Sequence, residues 1–170
     1  MAFPRMIKVQ QRFDAPQVDD IPCTVKARIE GLNLSGKVKQ GDTVAVTVGS
    51  RGISNIGVIT KAIVEALKEL GAAPFIVPAM GSHGGGTAEG QRQIIEGYGV
   101  TEEFVGCPIR ATMEVVQIGT VEGEVPVYFD RYASEADHVV VSGRVKPHTG
   151  FVGEIESGLH KMMLIGLGKH

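Results

Sequence analysis

The sequence predicts one α/β domain with a mostly parallel, twisted sheet and helices on both faces, a Rossmann-like arrangement. Two observations lead to this prediction. Short β-branched runs alternate with longer stretches whose apolar residues recur at helical spacing, which is typical of parallel sheets. Glycine contributes 23 of the 170 residues and gathers where predicted strands end, where the backbone turns sharply or lies close to a ligand.

The first forty residues are predicted to supply a strand at 7–13 and an edge strand or turn-rich stretch at 24–38. The turn signal Gly41-Asp42 then precedes a β-branched run, residues 43–48, of the length expected for a buried strand. The segment 49–52, with two glycines, ends it.

An amphipathic helix is predicted at residues 53–70. Its apolar residues follow helical spacing, Lys61 and Glu65 form a surface pair one turn apart, and Gly71 ends the helix. A second buried strand is expected at residues 74–78.

The rest of the chain is predicted to continue the alternation. After the glycine-rich loop 81–86, Thr87 caps a helix that carries Ile94, Ile95 and Tyr98 on one face. Further elements are predicted as strands at 113–118, 125–129 and 138–142, with a short helix between 131 and 136.

Composition excludes several classes of partner. The net charge of −2 gives no basic surface for nucleic acid, and no apolar run approaches the roughly 20 residues of a membrane helix. Cys23 and Cys107 lack the spacing of a zinc site. We therefore expect a cytoplasmic protein with a small-molecule partner, and the oligomeric state stays open.

Three loops are expected to meet at the carboxyl edge of the sheet, where open α/β folds bind ligands: 49–52, 81–86 and 143–150. A guanidinium suits a substrate carboxylate, and imidazole suits proton transfer near neutral pH. Arg51, His83 and His148 supply these groups, although each is also compatible with an exposed loop residue. His138, at the start of a strand, is expected to be structural.

The glycine loop matches neither common nucleotide fingerprint, since it is not GxGxxG and lacks the P-loop ending GK[ST]. What remains is a general anion site at the start of the following helix. We expect a nucleotide phosphate to bind there, at Gly84, Gly85, Gly86 and Thr87.

Three strings carry a resemblance to a known family: GSRGISNI from Gly49, PAMGSHGGGT from Pro78 and GRVKPHTGFVGEIESGLHKMMLIGLGK from Gly143. They resemble the N-terminal domain of the lactate racemase family, and the likeness covers most of the chain. The resemblance implies a racemase or epimerase of a 2-hydroxy acid that uses a nickel-pincer nucleotide bound through a lysine, and it implies hydride transfer to and from that cofactor.

Carried over to this sequence, the resemblance implies that Arg51 holds the substrate carboxylate and Lys161 attaches the cofactor. His83 and His148 would be paired acid and base groups on opposite faces of the substrate. The chain differs from lactate-specific members because no acidic residue shortly precedes Arg51, so another 2-hydroxy acid is the expected substrate. An alternative for Lys161 is a solvent-facing position on an amphipathic helix.

The resemblance also implies a fragment, residues 1–170, that lacks the family's C-terminal domain and is inactive alone. The nickel-ligating histidine is expected beyond residue 170, so no metal ligand is assigned within the chain, and His170 is expected to be exposed. The main alternative is a non-catalytic small-anion or nucleotide-binding module. A nicotinamide-dependent dehydrogenase and a serine hydrolase fit less well, because their sequence motifs are absent.

Overall fold

The structure, a computed structural model, describes residues 6–50, 52–146, 150 and 152–169. Arg51, His148 and His170 lie outside the described residues. The described elements follow in chain order: α1 Ile21–Glu30, β1 Thr43–Val48, α2 Ile56–Glu69, β2 Ala73–Pro78, α3 Ala88–Gly97, α4 Glu102–Val105, β3 Val115–Val121, β4 Val125–Asp130, α5 Arg131–Ser134, β5 His138–Val140 and α6 Leu159–Lys161. Short 3₁₀ turns at Leu34–Gly36 and Gly84–Gly86 and a π-helix at Met162–Leu167 complete them.

The central sheet has the strand order β2-β1-β5, and both neighbouring pairs are parallel. Val46 in β1 lies opposite Ile76 in β2 and Val140 in β5. The predicted strands at 43–48 and 74–78 are confirmed, and that at 138–142 is shorter than expected. All three strands end at the same edge because they run in the same direction.

Helices cover both faces of this sheet, as the sequence predicts. Alternate residues of β1 point to opposite faces, so Val44 and Val46 pack with α2, α3 and α4, while Ala45 packs toward α5 and the π-helix. On the second face Ala133 and Leu167 join the core. Strands β1 and β2 are therefore buried along most of their length, whereas β5 is half-buried.

Helix α2 begins three residues later than its apolar pattern suggests. Asn55 precedes it in the left-handed region, at φ 62°, without a side-chain cap. The predicted surface pair is present, with Lys61 Nζ 3.9 Å from Glu65 Oε1. Gly71 follows the helix at φ 86°, a conformation that glycine adopts without steric cost, so the predicted stop is confirmed.

The strand predictions for the first forty residues are wrong. Residues 7–13 are exposed and form no strand. The stretch 24–38, predicted as an edge strand or as turn-rich, forms no strand: its first part belongs to α1, and the part after Glu30 is turn-rich, with a 3₁₀ helix at Leu34–Gly36. The reason is local: Asp20 caps α1 by accepting from the amide of Cys23 at 2.9 Å, and Pro22 favours the first helical turn.

Strands β3 and β4 form an antiparallel hairpin that is separate from the parallel sheet. The predicted strands at 113–118 and 125–129 are thus present, with β3 displaced toward its C-terminal end. The short helix expected between 131 and 136 is α5, and its cap is Asp130, whose Oδ1 accepts from the amide of Ala133 at 2.9 Å.

A buried ion pair ties the end of the chain to this hairpin. Lys169 Nζ lies 2.5 Å from Asp130 Oδ2, and both side chains are 0% exposed. The same ammonium donates to the carbonyl of Thr112 at 2.5 Å. These contacts fix the C-terminal segment against the second face of the sheet.

Candidate functional site

A cleft of about 450 Å³ lies where the three parallel strands end. Its walls come from the segments that follow β1, β2 and β5, together with the C-terminal segment. The lining comprises Gly49, Ser50, Gly52, Ile53, Ala79, Met80, His83, Gly143, Arg144, Lys146, Ser157, Gly158, Lys161, Met162, Ile165 and Gly166. The expected meeting of three loops at this edge is therefore what the described residues show.

Glycines at the strand ends let the C-terminal segment approach closely. A Cβ on Gly49 would lie 3.2 Å from Cε of Met162, and a Cβ on Gly143 would lie 3.0 Å from Cγ of Met162. A Cβ on Gly166 would lie 2.9 Å from the carbonyl oxygen of Ala79. At these positions glycine makes room for the segment that carries Lys161.

His83 is held by a contact between two loops. Ser50 Oγ and His83 Nδ1 form a short hydrogen bond, which joins the segment after β1 to the segment after β2. The hydroxyl of Tyr98 donates to the carbonyl of Ser50 at 2.7 Å. The imidazole is exposed on the cleft wall with its Nδ1 already engaged.

The cleft has a basic character. Arg144, Lys146 and Lys161 line it together with His83, and no carboxylate occurs in the lining that the described residues form. Lys161 is exposed at the end of α6, immediately before the π-helix. A short π-helical stretch is frequent at functional sites, and a basic wall favours an anionic ligand.

The structure brings together two of the predicted site residues, His83 and Lys161. Arg51 and His148 lie outside the described residues, but Ser50, Gly52 and Lys146, close to them in sequence, line the cleft. The roles assigned to all four residues remain predictions.

The glycine loop Gly84–Gly86 and Thr87 do not contribute to the cleft lining. Thr87 caps α3 as predicted, since its Oγ1 accepts from the amide of Gly90 at 3.0 Å. The hydroxyl also donates to the carbonyl of Gly84 at 3.0 Å. One backbone N–H at the start of α3 is thus already hydrogen-bonded within the chain. Cofactor binding by Gly84, Gly85, Gly86 and Thr87 stays a prediction.

His138 has the structural role expected for it. Its Nε2 lies 3.0 Å from Asp42 Oδ2, away from the cleft lining. The amide of Lys39 and this imidazole together hold the pKa of Asp42 below its usual value.

Within the described part of the chain no three His, Cys, Asp or Glu side chains are grouped so as to hold a metal ion. A search of the same residues finds no helix long and apolar enough to cross a membrane.

Several residues of the site were assigned no role from the sequence. Gln91 is fully buried and donates to the carbonyl of Gly81 at 2.6 Å, while Tyr98 reaches the opposite loop. Each contact joins residues at least ten positions apart, so no short window of sequence contains both partners.

Comparison with models of known protein families identifies the family of this chain. A family model described as the lactate racemase N-terminal domain matches residues 10–170. The chain belongs to the lactate racemase N-terminal domain family. The matched region includes every residue that lines the cleft. No curated protein and no solved structure matches the chain in the corresponding searches.

Membership confirms the resemblance carried by the three strings and relates the chain to a family of isomerases. The cleft is thus the candidate active-site region of a lactate racemase N-terminal domain.

Proposed function

We propose that this domain belongs to a racemase or epimerase of a 2-hydroxy acid, in which Lys161 binds a nickel-pincer nucleotide. The observation that carries the proposal is the shared cleft: an exposed lysine and a histidine with one engaged ring nitrogen face the same space at the carboxyl edge of a parallel sheet. Family membership supplies the reaction class.

The described residues fit the organic part of such a cofactor. A lysine can form a covalent link only where its amine is accessible, and Lys161 is exposed on the cleft wall. Arg144 and Lys146 give that wall the positive charge that a nucleotide phosphate requires. When bound, the cofactor would supply a reversible hydride acceptor, which no protein side chain provides.

The protein's own groups would bind the substrate and move its proton. Arg51 would hold the carboxylate through its two parallel N–H donors. His83 would take the hydroxyl proton on Nε2, because Nδ1 is bonded to Ser50. His148 would serve the opposite face, so that either hand of the product can be formed from a planar 2-oxo acid.

The test uses the full-length natural protein that carries this domain, produced together with the cofactor-making machinery. Racemisation of a panel of 2-hydroxy acids is followed by chiral chromatography. We expect His83→Gln to lower kcat by about 10²-fold or more, the usual contribution of an acid or base. Lys161→Ala should abolish activity. If both variants kept the activity of the wild type, the proposal would be contradicted. It would also be contradicted if the wild-type protein carried the cofactor but racemised no 2-hydroxy acid.

Matched controls keep this result specific. His160→Gln changes an exposed histidine next to Lys161 that does not line the cleft, and Lys39→Ala changes an exposed lysine elsewhere. Both variants should keep full activity. Equal losses in the controls would show that the effects do not arise from the cleft residues.

A second candidate function is a non-catalytic module for small anions or nucleotides. The basic wall formed by Arg144, Lys146 and Lys161 favours it. It predicts that inorganic phosphate or a mononucleotide binds the chain in calorimetry and still binds Lys161→Ala. Binding that depends on Lys161, together with racemisation, would exclude it in favour of the first proposal.

A further inference from the structure

A side-chain hydrogen bond joins two loops of the cleft. Ser50 and His83 share a hydrogen bond through Nδ1 of the imidazole, and both residues line the cleft. Because Nδ1 is engaged within the chain, Nε2 is the ring nitrogen available to another molecule. The contact therefore selects which atom of His83 can act.

Helix α3 and the residue that follows it hold the backbone of both loops. The buried amide nitrogen of Gln91 donates to the carbonyls of Gly81, at 2.6 Å, and His83, at 3.4 Å. Seven residues further along, the hydroxyl of Tyr98 donates to the carbonyl of Ser50 at 2.7 Å. Gln91 lies within α3 and Tyr98 directly follows its last residue, so one continuous segment contacts the backbone of both partners of the hydrogen bond.

We infer that Ser50 is a positioning residue that orients the imidazole of His83 for proton transfer, an inference that rests on the proposed function. A serine hydroxyl can both donate and accept a hydrogen bond. When Nε2 of the neutral ring is free to take a proton, the ring hydrogen lies on Nδ1, so the Ser50 oxygen accepts from Nδ1–H. It accepts the same hydrogen bond from the protonated ring, in which both nitrogens carry hydrogen. Ser50 thus supports His83 before and after the proton moves.

The choice of serine suits a group that must return the proton it takes. A carboxylate in the same position would only accept hydrogen bonds and would favour the protonated ring. The hydroxyl instead orients the ring through a neutral oxygen that carries no charge of its own. Tyr98 and Gln91 contact the backbone of the two loops, while Ser50 contacts the imidazole ring itself.

The first arm of the test measures the hydrogen bond in the chain itself by ¹⁵N NMR of the histidine side chains. His160 is exposed in the same molecule and serves as the internal reference. We expect the Nδ1 shift and tautomer fraction of His83 to differ from those of His160, to approach them in Ser50→Ala and to return in Ser50→Thr. Values for His83 that do not change in Ser50→Ala would overturn the inference.

The second arm measures kinetics in the full-length, cofactor-loaded protein. Loss of one neutral hydrogen bond predicts a roughly 3- to 10-fold lower kcat for Ser50→Ala, with KM little changed, and recovery in Ser50→Thr. Ser134→Ala removes a hydroxyl that donates to the carbonyl of Arg131 on α5, outside the cleft lining, and should match the wild type. A loss confined to KM, or no recovery in Ser50→Thr, would contradict a positioning role.

The two arms separate this inference from the proposed function. If the loaded wild-type protein racemises no 2-hydroxy acid, the proposed function fails, whereas the NMR arm still decides whether Ser50 orients His83. If the protein is active but the ¹⁵N shifts of the His83 ring are the same in Ser50→Ala as in the wild type, only the inference about Ser50 fails.

Discussion

Replacing Lys169 by methionine tests the buried ion pair that anchors the C-terminal segment. The substitution keeps the length and apolar stem of the side chain but removes the ammonium from a site where both charged groups are 0% exposed. Asp130 then keeps its bond from the amide of Ala133 but loses its counter-charge, and the carbonyl of Thr112 loses a donor. An uncompensated buried charge is strongly destabilising.

The expected loss is about 3–5 kcal/mol of unfolding free energy, the range for breaking one partner of a buried pair. For a domain of this size about 1 kcal/mol corresponds to roughly 2–4 °C, so the thermal midpoint should fall by roughly 6–20 °C. Urea unfolding followed by circular dichroism measures the free energy through the midpoint and slope.

Lys161→Met is the matched control, because it makes the same substitution eight residues earlier at an exposed position. Its effect should stay within about 0.5 kcal/mol. A loss for Lys169→Met below about 1 kcal/mol, or equal to that of the control, would refute the account of the buried pair.

Three further predictions concern the thiols, the glycine loop and acid stability. Burial raises the pKa of Cys107 to about 11, so at pH 8 a thiol reagent should label exposed Cys23 and reach Cys107 only on unfolding. Gly84→Ala should destabilise the domain more than Gly85→Ala, because both residues have φ of 68° but only at Gly84 would a Cβ lie 2.6 Å from backbone atoms of α3. Hydrogen bonds from the start of β1 lower the pKa of Asp137 below its ordinary 3.8, so the stability they contribute is present above about pH 4 and is lost as pH falls through the lower folded value. In Asp137→Asn, the urea midpoint should therefore change less as the pH falls below about 4.

Each of these predictions has a result that counts against it. Equal labelling rates for the two cysteines in the folded chain would contradict the burial of Cys107. Equal losses at Gly84 and Gly85 would mean that backbone conformation alone, and not the contact with α3, sets the cost. An unchanged pH profile in Asp137→Asn would remove the linkage to β1.

The parallel core was predictable because its signals are local and strong. The β-branched run of β1 and the helical spacing of α2 each lie within one short window, and Gly71 marks a boundary through its positive φ. The N-terminal region failed for the opposite reason. Thr24 and Val25 favour strand by composition, but the cap at Asp20 and the packing of Val25 against the core favour a helix.

The candidate site was only partly predictable. Chemistry-bearing residues such as His83 and Lys161 stand out among glycines or in a long matching string. The contacts from Ser50, Gln91 and Tyr98 arise when separate loops meet, and no short window of sequence contains both partners. Several glycines at strand ends pack against the C-terminal segment, a contact that depends on tertiary structure and that no local pattern predicts.

The most direct test of the central claim is the mass of the full-length protein made with the cofactor-making machinery, combined with peptide mapping and nickel content. The account predicts an added mass on the peptide that contains Lys161 and about one nickel per chain, both absent from Lys161→Ala and both retained in Lys39→Ala. Protein with neither adduct nor nickel, or an adduct on a different lysine, would contradict the claim that this cleft holds a lysine-bound cofactor.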